Sequence, residues 1–537
     1  MKYYHSVRLE VSRCIGCTRC IKVCPTEAIR VRGRRSVIME DRCIDCGECF
    51  RVCHQHAWQA MADPLERIGD FDVSIALVPP SFYAQFGPEV EPEHVISALK
   101  DVGFQEVFDA AYAKEAMTRA YRMFMKTEKW EAPLISPACP AVVRLLQVSY
   151  PDLLGHIIPL DSPIEIAAKM AKQESGAWSD SSNQRVGCFL ITPCPARVTA
   201  IKQPVGGRRS YVDGAFSMSD IFGLVFKKLD PRKSEKIGKM ATGSGISWAR
   251  SGGEALSLGT KKVLAVDGIH AVITVLHELE RGKLRDIEFI EARACAGGCI
   301  GGPLTVENPF IARVRNRMLS EHRRSKSLAV PVEWVEENYP KGYFHLAGTI
   351  PPRDVLRMDS TVRGALDRLE RMEALLQELP GYDCGACGSP TCRTYALDVV
   401  CGLAGDGRCE FRRQARDADD GERMVRMTCR QLAERLGLDI AVEAESLDEE
   451  VKGCWCSDML SDVMAQAGHG DIWVTVHTHP NIVAVASVTG VSAIVITSDK
   501  KPEDRTLASA RTHGVPILVT GKSSFEVAGR LWSVLKR

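Results

Sequence analysis

The sequence predicts a multidomain α/β (α+β) protein, and three observations lead there. A length of 537 residues exceeds what one hydrophobic core organises. The 21 cysteines fall into three groups, eight before residue 54, five between 139 and 299, and eight from 384 onward. Apolar runs alternate with helix-like stretches twice: VSIALVPP, KKVLAVDGI and HAVITVLHEL between Phe71 and about Leu346, then WVTVHTH, IVAVAS, SAIVITS and VPILVTG after Thr428.

Charge narrows the partners. Lys plus Arg is 69 against 68 for Asp plus Glu, so no global field favours a polyanion, and neither nucleic acid nor a membrane surface is expected. The start, MKYYHSVRLEVSRC, has no apolar stretch and no small-residue cleavage site, which predicts a cytoplasmic protein. The most apolar stretch, Ile472 to Ile496, is broken by His477, His479, Pro480 and Asn481, so no membrane span is expected. Cysteines in a reducing compartment point to metal rather than disulfides.

CIGCTRCIKVCP (Cys14 to Pro25) and CIDCGECFRVCH (Cys43 to His54) share the spacing C-x2-C-x2-C-x3-C. They resemble the bacterial-type ferredoxins, in which three cysteines of one run wrap a cubane and the fourth crosses to the other cluster. That likeness implies one 4Fe-4S cluster on Cys14, Cys17, Cys20 and Cys53 and another on Cys43, Cys46, Cys49 and Cys24, in a domain over residues 1–65. His54 stands where a proline is usual. Zinc, the competing metal, needs isolated four-ligand sets instead.

Three later motifs carry widely separated cysteines: SPACPAVVR around Cys139, ITPCPARVTAIK around Cys194, and EARACAGGCIGGP with Cys295 and Cys299. They resemble the TSCCPxW, MPCxxKxxE and ExMxCxxGCxxGG signatures of the iron-only (di-iron) hydrogenases. VPPSF, VFDAAYA, DSPIEIAAK and GSGISWARSGG extend the likeness over a domain at 66–358. It implies an H-cluster whose 4Fe-4S part sits on Cys139, Cys194, Cys295 and Cys299, with Cys299 bridging to a di-iron subcluster bearing CO, CN and a dithiolate amine. Pro80, Ser81 and Ser162 match positions that receive the diatomic ligands; alone, each reads as a turn or cap residue. Gly297, Gly298, Gly301 and Gly302 are expected to let backbone approach a bulky cofactor.

The departures are specific. Catalytic members have two adjacent cysteines in the first motif, one of which relays protons; here that relay is Ala138. Arg197 replaces the lysine that holds a cyanide ligand, and Thr192 and Arg293 replace methionines. In KEAMTRAYRMF, Ala120 and Tyr121 occupy the place of an acidic pair on the usual proton route. The four cluster cysteines remain, so activity is expected at low turnover.

A helix over 359–380, with Val362, Leu366, Leu369, Met372, Leu376 and Leu379 on one stripe, reads as packing on the catalytic domain, with a short homodimer seam as the alternative. It leads to YDCGACGSPTCRTYALDVVCGLAGDGRC (381–415), which resembles the single 4Fe-4S module of redox-complex subunits and implies Cys384, Cys387, Cys392 and Cys409 as ligands, with Cys401 as a competitor. Residues 425–537 resemble the DRTGG domain through SDMLSDVMAQA, HTHPNIVAVA and FEVAGRL. There His477 and His479 fall on one side of a strand by parity, Cys454 and Cys456 could bind metal or sense redox state, and Cys188 and Cys429 read as buried thiols. TCRQLAERLGL begins like a helix-turn-helix but runs into strand-like DIAVEAE. The basic run Arg313 to Lys326 reads as a solvated insertion, or as a docking face for an acidic carrier.

Together these readings predict a slow reversible hydrogenase or H2 sensor. It would act on H2 and protons, exchange electrons with a ferredoxin or other redox protein through three 4Fe-4S clusters besides the H-cluster, and contact a signalling partner such as a kinase or phosphatase through its C-terminal domain. The alternative is a non-catalytic iron-sulfur electron-transfer or assembly protein of similar cysteine pattern.

Overall fold

The computed structural model describes residues 4–176, 184–206, 209–235, 237–325, 327–353, 355, 361–409, 411–412 and 427–535. The chain divides into two compact units, Met1–Glu410 and Phe411–Arg537. Lys326, the end of the basic run, and Arg537 lie outside the described residues. No helix among the described residues is long and apolar enough to cross a membrane.

The first unit opens with four short strands, β1 (Val7–Leu9), β2 (Ile29–Arg32), β3 (Arg35–Ile38) and β4 (Trp58–Ala60); β1 pairs antiparallel with β4 and β2 with β3. Between them, helices Arg19–Val23 and Glu48–Val52 carry the middle of each cysteine run.

Two parallel sheets follow. In the first, β5 (Val73–Val78), β6 (Glu106–Asp109), β8 (Val186–Thr192) and β9 (Gly214–Ser217) lie in the order β6-β5-β8-β9; in the second, β7 (Leu134–Ile135), β10 (Val263–Asp267) and β11 (Phe289–Arg293) lie in the order β10-β11-β7. Four of the motifs singled out above sit just past the carboxyl end of one of these strands. β5 runs into Pro80–Ser81, β7 into Ala138–Cys139, β8 into Cys194 and β11 into Cys295. Parallel strands with returning helices collect their following loops at one edge, which is where such folds build sites. HAVITVLHEL is not a strand: Ile269–Glu280 is a helix whose Ile269, Val272, Leu276 and Leu279 are buried, a helical period hidden by a run rich in β-branched residues.

The helix Val362–Gln377 packs chiefly on Cys392–Val400 of the small iron-sulfur module, not on the catalytic domain as expected. Met372, Leu375 and Leu379 are buried, while Val362 and Leu366 stay exposed.

The second unit is a five-stranded sheet of β12 (Asp439–Val442), β13 (Gly453–Cys456), β14 (Asp471–Thr475), β15 (Ala493–Ile496) and β16 (Ile517–Val519), in the order β12-β16-β15-β14-β13 and parallel except for β12. Ile472, Val474 and Val495 pack with Leu432 and Leu531 on one face, and Trp473, Ile494 and Ile496 pack with Ile482 and Val463 on the other. Strand alternation thus feeds two helix layers. Two readings change here. IVAVAS is helical, within Asn481–Thr489, because its apolar side chains lie against the sheet. His477 and His479 follow the end of β14, so strand parity does not apply to them.

Candidate cluster-binding site

Cys139, Cys194, Cys295 and Cys299 follow three strand ends, β7, β8 and β11, the last supplying both Cys295 and Cys299, and none is in a disulfide. They form one electrostatic neighbourhood: the other three thiols all bear on Cys295, and Cys139 and Cys299 bear on Cys194. Burial pushes the Cys194 thiol up to about 12 and Cys295 well above its ordinary value. Cys299 differs. Burial pulls its thiol up, but the charges of Arg197, Arg293 and Lys114 outweigh that and hold it below the usual range.

The loop Cys295–Gly302 is shaped by glycine for a reason other than the expected one. A Cβ on Gly298, at φ +92°, would sit 2.8 Å from the Ser251 nitrogen, and one on Gly302 would sit 2.3 Å from the Pro193 carbonyl oxygen. These glycines let protein backbones meet, which brings the third motif against the second.

Arg197 links two motifs: its Nη2 donates to the Ala138 carbonyl at 3.0 Å and lies 3.9 Å from Cys299 Sγ. The turn Pro80–Tyr83 packs on the Cys299–Gly301 turn, and Ser81, 1% exposed, has a hydroxyl with no hydrogen-bond partner among the described residues. Ser162 caps its helix, its Oγ accepting from Glu165 N at 3.3 Å, and with Pro137, Leu160, Arg197 and Ile201 it lines a cavity of about 70 Å³.

Ala120 and Tyr121 are fully buried, Tyr121 against Trp248, so the place of the acidic pair is apolar. Carboxylates occur elsewhere. Ser136 Oγ accepts from Ala138 N at 3.2 Å and donates to Glu254 Oε1 at 2.5 Å. Arg293, the expected methionine site, pairs with Glu254 and, at 3.2 Å, with Glu291, which accepts from the Gly252 and Ala255 amides. Burial raises the Glu254 carboxyl above its ordinary value and lowers the Lys114 ammonium to about 7; Lys114 makes no ion pair among the described residues. Glu291 opens the third signature, ahead of its arginine, cysteines and glycines. Glu254 and Lys114 give no local signal.

The other thiols also gather by set. Cys24, Cys46 and Cys49 interact with one another, and Cys43 with Cys24 and Cys49; Cys20 interacts with Cys14 and Cys17. Cys53 is half-buried beside Cys384. In the small module Cys387 has Cys384, Cys392 and Cys409 as neighbours, and Cys401 is not among them. Cys188 and Cys429 are buried as expected. Cys454 is half-buried and Cys456 exposed, while His5, Cys43 and Asp45 bring three potential ligand atoms within 4.8 Å of one another. The basic run is not simply solvated: helix Pro309–His322 buries Ala312, Asn316 and Ser320 and packs on the Cys299 turn.

Four half-buried thiols, three surrounding cations and an orphaned hydroxyl suit a bulky anionic inorganic group. Fold and site define an iron-sulfur protein, fed by a ferredoxin-type domain. The family model for the iron-only hydrogenase large subunit, C-terminal domain, matches residues 72–259 and 254–303; a 4Fe-4S dicluster domain matches 6–54, an Fe-S cluster family 379–411 and the DRTGG domain 431–534. The periplasmic Fe hydrogenase large subunit of Nitratidesulfovibrio vulgaris is 25% identical over 361 residues, 56% of this chain and 86% of that protein. Iron hydrogenase 1 of Clostridium pasteurianum is 23% identical over 292 residues, 44% of this chain and 50% of that protein, so the chain spans half the length of that relative. A variant of the FeFe-hydrogenase of Chlamydomonas reinhardtii superposes with a TM-score of 0.40 at 15% identity, over 54% of this chain and 96% of that one. Over residues 72–303 the chain is thus similar to the iron-only hydrogenases, at about a quarter identity to the relatives named.

Proposed function

We propose that this protein interconverts H2 with two protons and two electrons at low turnover, in the cytoplasm, and that residues 425–537 report the state of the site to a signalling partner. The reading rests on one observation above all: four half-buried thiols from three strand ends lie among Arg197, Arg293 and Lys114, beside the unpartnered Ser81 hydroxyl.

An H-cluster bound here would supply the redox and proton chemistry of H2. Cys139, Cys194, Cys295 and Cys299 would hold it. Arg197 and Ser81 direct hydrogen-bond donors at its anionic ligands, while Pro80 and Ser162 wall the pocket and exclude water. The Ala138 methyl cannot carry a proton. Glu254 can, because burial favours its protonated form, and Ser136 Oγ connects Glu254 Oε1 to the Ala138 amide. Arg293 and Glu291 continue this buried polar chain away from the pocket. Electrons leave through three further 4Fe-4S clusters to a ferredoxin or similar carrier.

The test is H2-dependent reduction of a one-electron dye after maturation with the di-iron precursor. Slow but cluster-dependent reduction supports the reading. A fully iron-loaded protein with no H2-dependent reduction turns it toward the non-catalytic alternative.

A further inference from the structure

The small iron-sulfur module is fastened to the ferredoxin-type domain by contacts that no motif announces. Asp398, 1% exposed, accepts from Arg30 Nε at 2.5 Å and Nη2 at 3.0 Å and from Arg32 Nη2 at 2.7 Å. Arg32 donates also to the Gly388 carbonyl at 2.9 Å and the Ser389 hydroxyl at 3.1 Å. Val31 N donates to the Gly388 carbonyl at 2.7 Å, and Lys22 Nζ to the Pro390 carbonyl at 2.9 Å. The fit is close enough that a Cβ on Gly388 would lie 2.0 Å from the Val31 carbonyl oxygen.

The contact joins particular cysteine sets. Gly385, between Cys384 and Cys387, lies against Ile21 and Lys22 beside Cys20, and Cys384 and Cys53 line one groove. The other end of the ferredoxin-type domain meets the catalytic domain. Gly47 abuts Pro303, Arg51 donates to the Gly301 carbonyl, and Cys46 packs in the same apolar cluster as Cys139 and Cys194. The first cysteine run therefore faces the small module and the second faces the catalytic site.

We propose that the small module is the outward terminal of a single linear electron path. Its order is the Cys384 set, the Cys14 set, the Cys43 set and the Cys139 set, and the Arg30/Arg32–Asp398 clamp fixes the first interval. Each step moves one electron from a reduced cluster to its oxidised neighbour, with no bond made or broken, and a one-electron carrier in solution is oxidised or reduced at the terminal. The proposal rests on the cluster-holding part of the proposed function and not on its H2 chemistry.

The test uses the full chain loaded with iron and sulfide but without the di-iron precursor, reduced with dithionite and read by electron paramagnetic resonance. Comparison with Cys387→Ala/Cys392→Ala, which lacks the third cluster, should show that this cluster splits and speeds relaxation of a ferredoxin-type signal. Asp398→Ala and the milder Arg32→Gln should weaken that coupling at unchanged iron content. Spectra that merely add, or coupling unchanged in both clamp variants, overturn the order. Iron uptake short of the full cubane complement sinks the cluster assignment itself.

Discussion

Arg197 Nη2 lies 3.9 Å from the sulfur of Cys299 and 3.0 Å from the carbonyl oxygen of Ala138. One guanidinium thus touches both the thiol proposed to bridge the two parts of the cofactor and the position where a relay cysteine is missing. Arg197→Met removes the first-named charge that holds the Cys299 thiol down. The matured variant should keep its cubane iron and lose most of its di-iron centre; iron counted per chain, with and without precursor, checks this.

Ala138 is 2% exposed and its amide is tied to Ser136, so a cysteine there would present a thiol at the pocket wall. Ala138→Cys should raise H2 turnover about a hundredfold, the low end of the range that a positioned acid-base group contributes. An unchanged rate would mean that proton supply does not limit the enzyme.

Glu254→Gln keeps the shape of the buried chain but removes its titrating carboxyl. Turnover should fall about a hundredfold while iron content holds, because a general acid-base group supplies factors of this order. A variant as fast as the parent would remove Glu254 from the proton route.

Gly302→Ala places a Cβ 2.3 Å from the Pro193 carbonyl oxygen, next to Cys194. The second and third motifs should separate, and the catalytic-site iron should be lost while the ferredoxin-type clusters remain. Retention of all iron would show that the loop tolerates displacement.

In the second unit Trp473 is fully buried and its Nε1 donates to the Ser457 carbonyl at 2.8 Å. Trp473→Ala should cost about 3–5 kcal/mol. Denaturant unfolding of this unit should shift to lower concentration while cluster absorption is unaffected.

The cysteine runs were legible because cluster chemistry fixes ligand spacing over a few residues, and the apolar run VSIALVPP was legible as the strand that leads into Pro80. What escaped the sequence is what tertiary contact creates. Arg30 meets Asp398 across 368 residues, and Glu254 meets Arg293 across 39, so neither pair has a local pattern. Arg293 in particular reads as a lost methionine until its two carboxylate partners are seen. Ile482 to Ser487 was read as strand because valine and isoleucine favour sheets, yet Ile482, Val483, Val485 and Ala486 are buried on one face at helical spacing and the segment is a helix.

The most direct measurement of the central claim is infrared spectroscopy of the protein matured with the di-iron precursor. The account predicts carbon monoxide and cyanide stretching bands that shift under H2 and disappear in Cys299→Ala. A protein with its full iron complement and no such bands would contradict it.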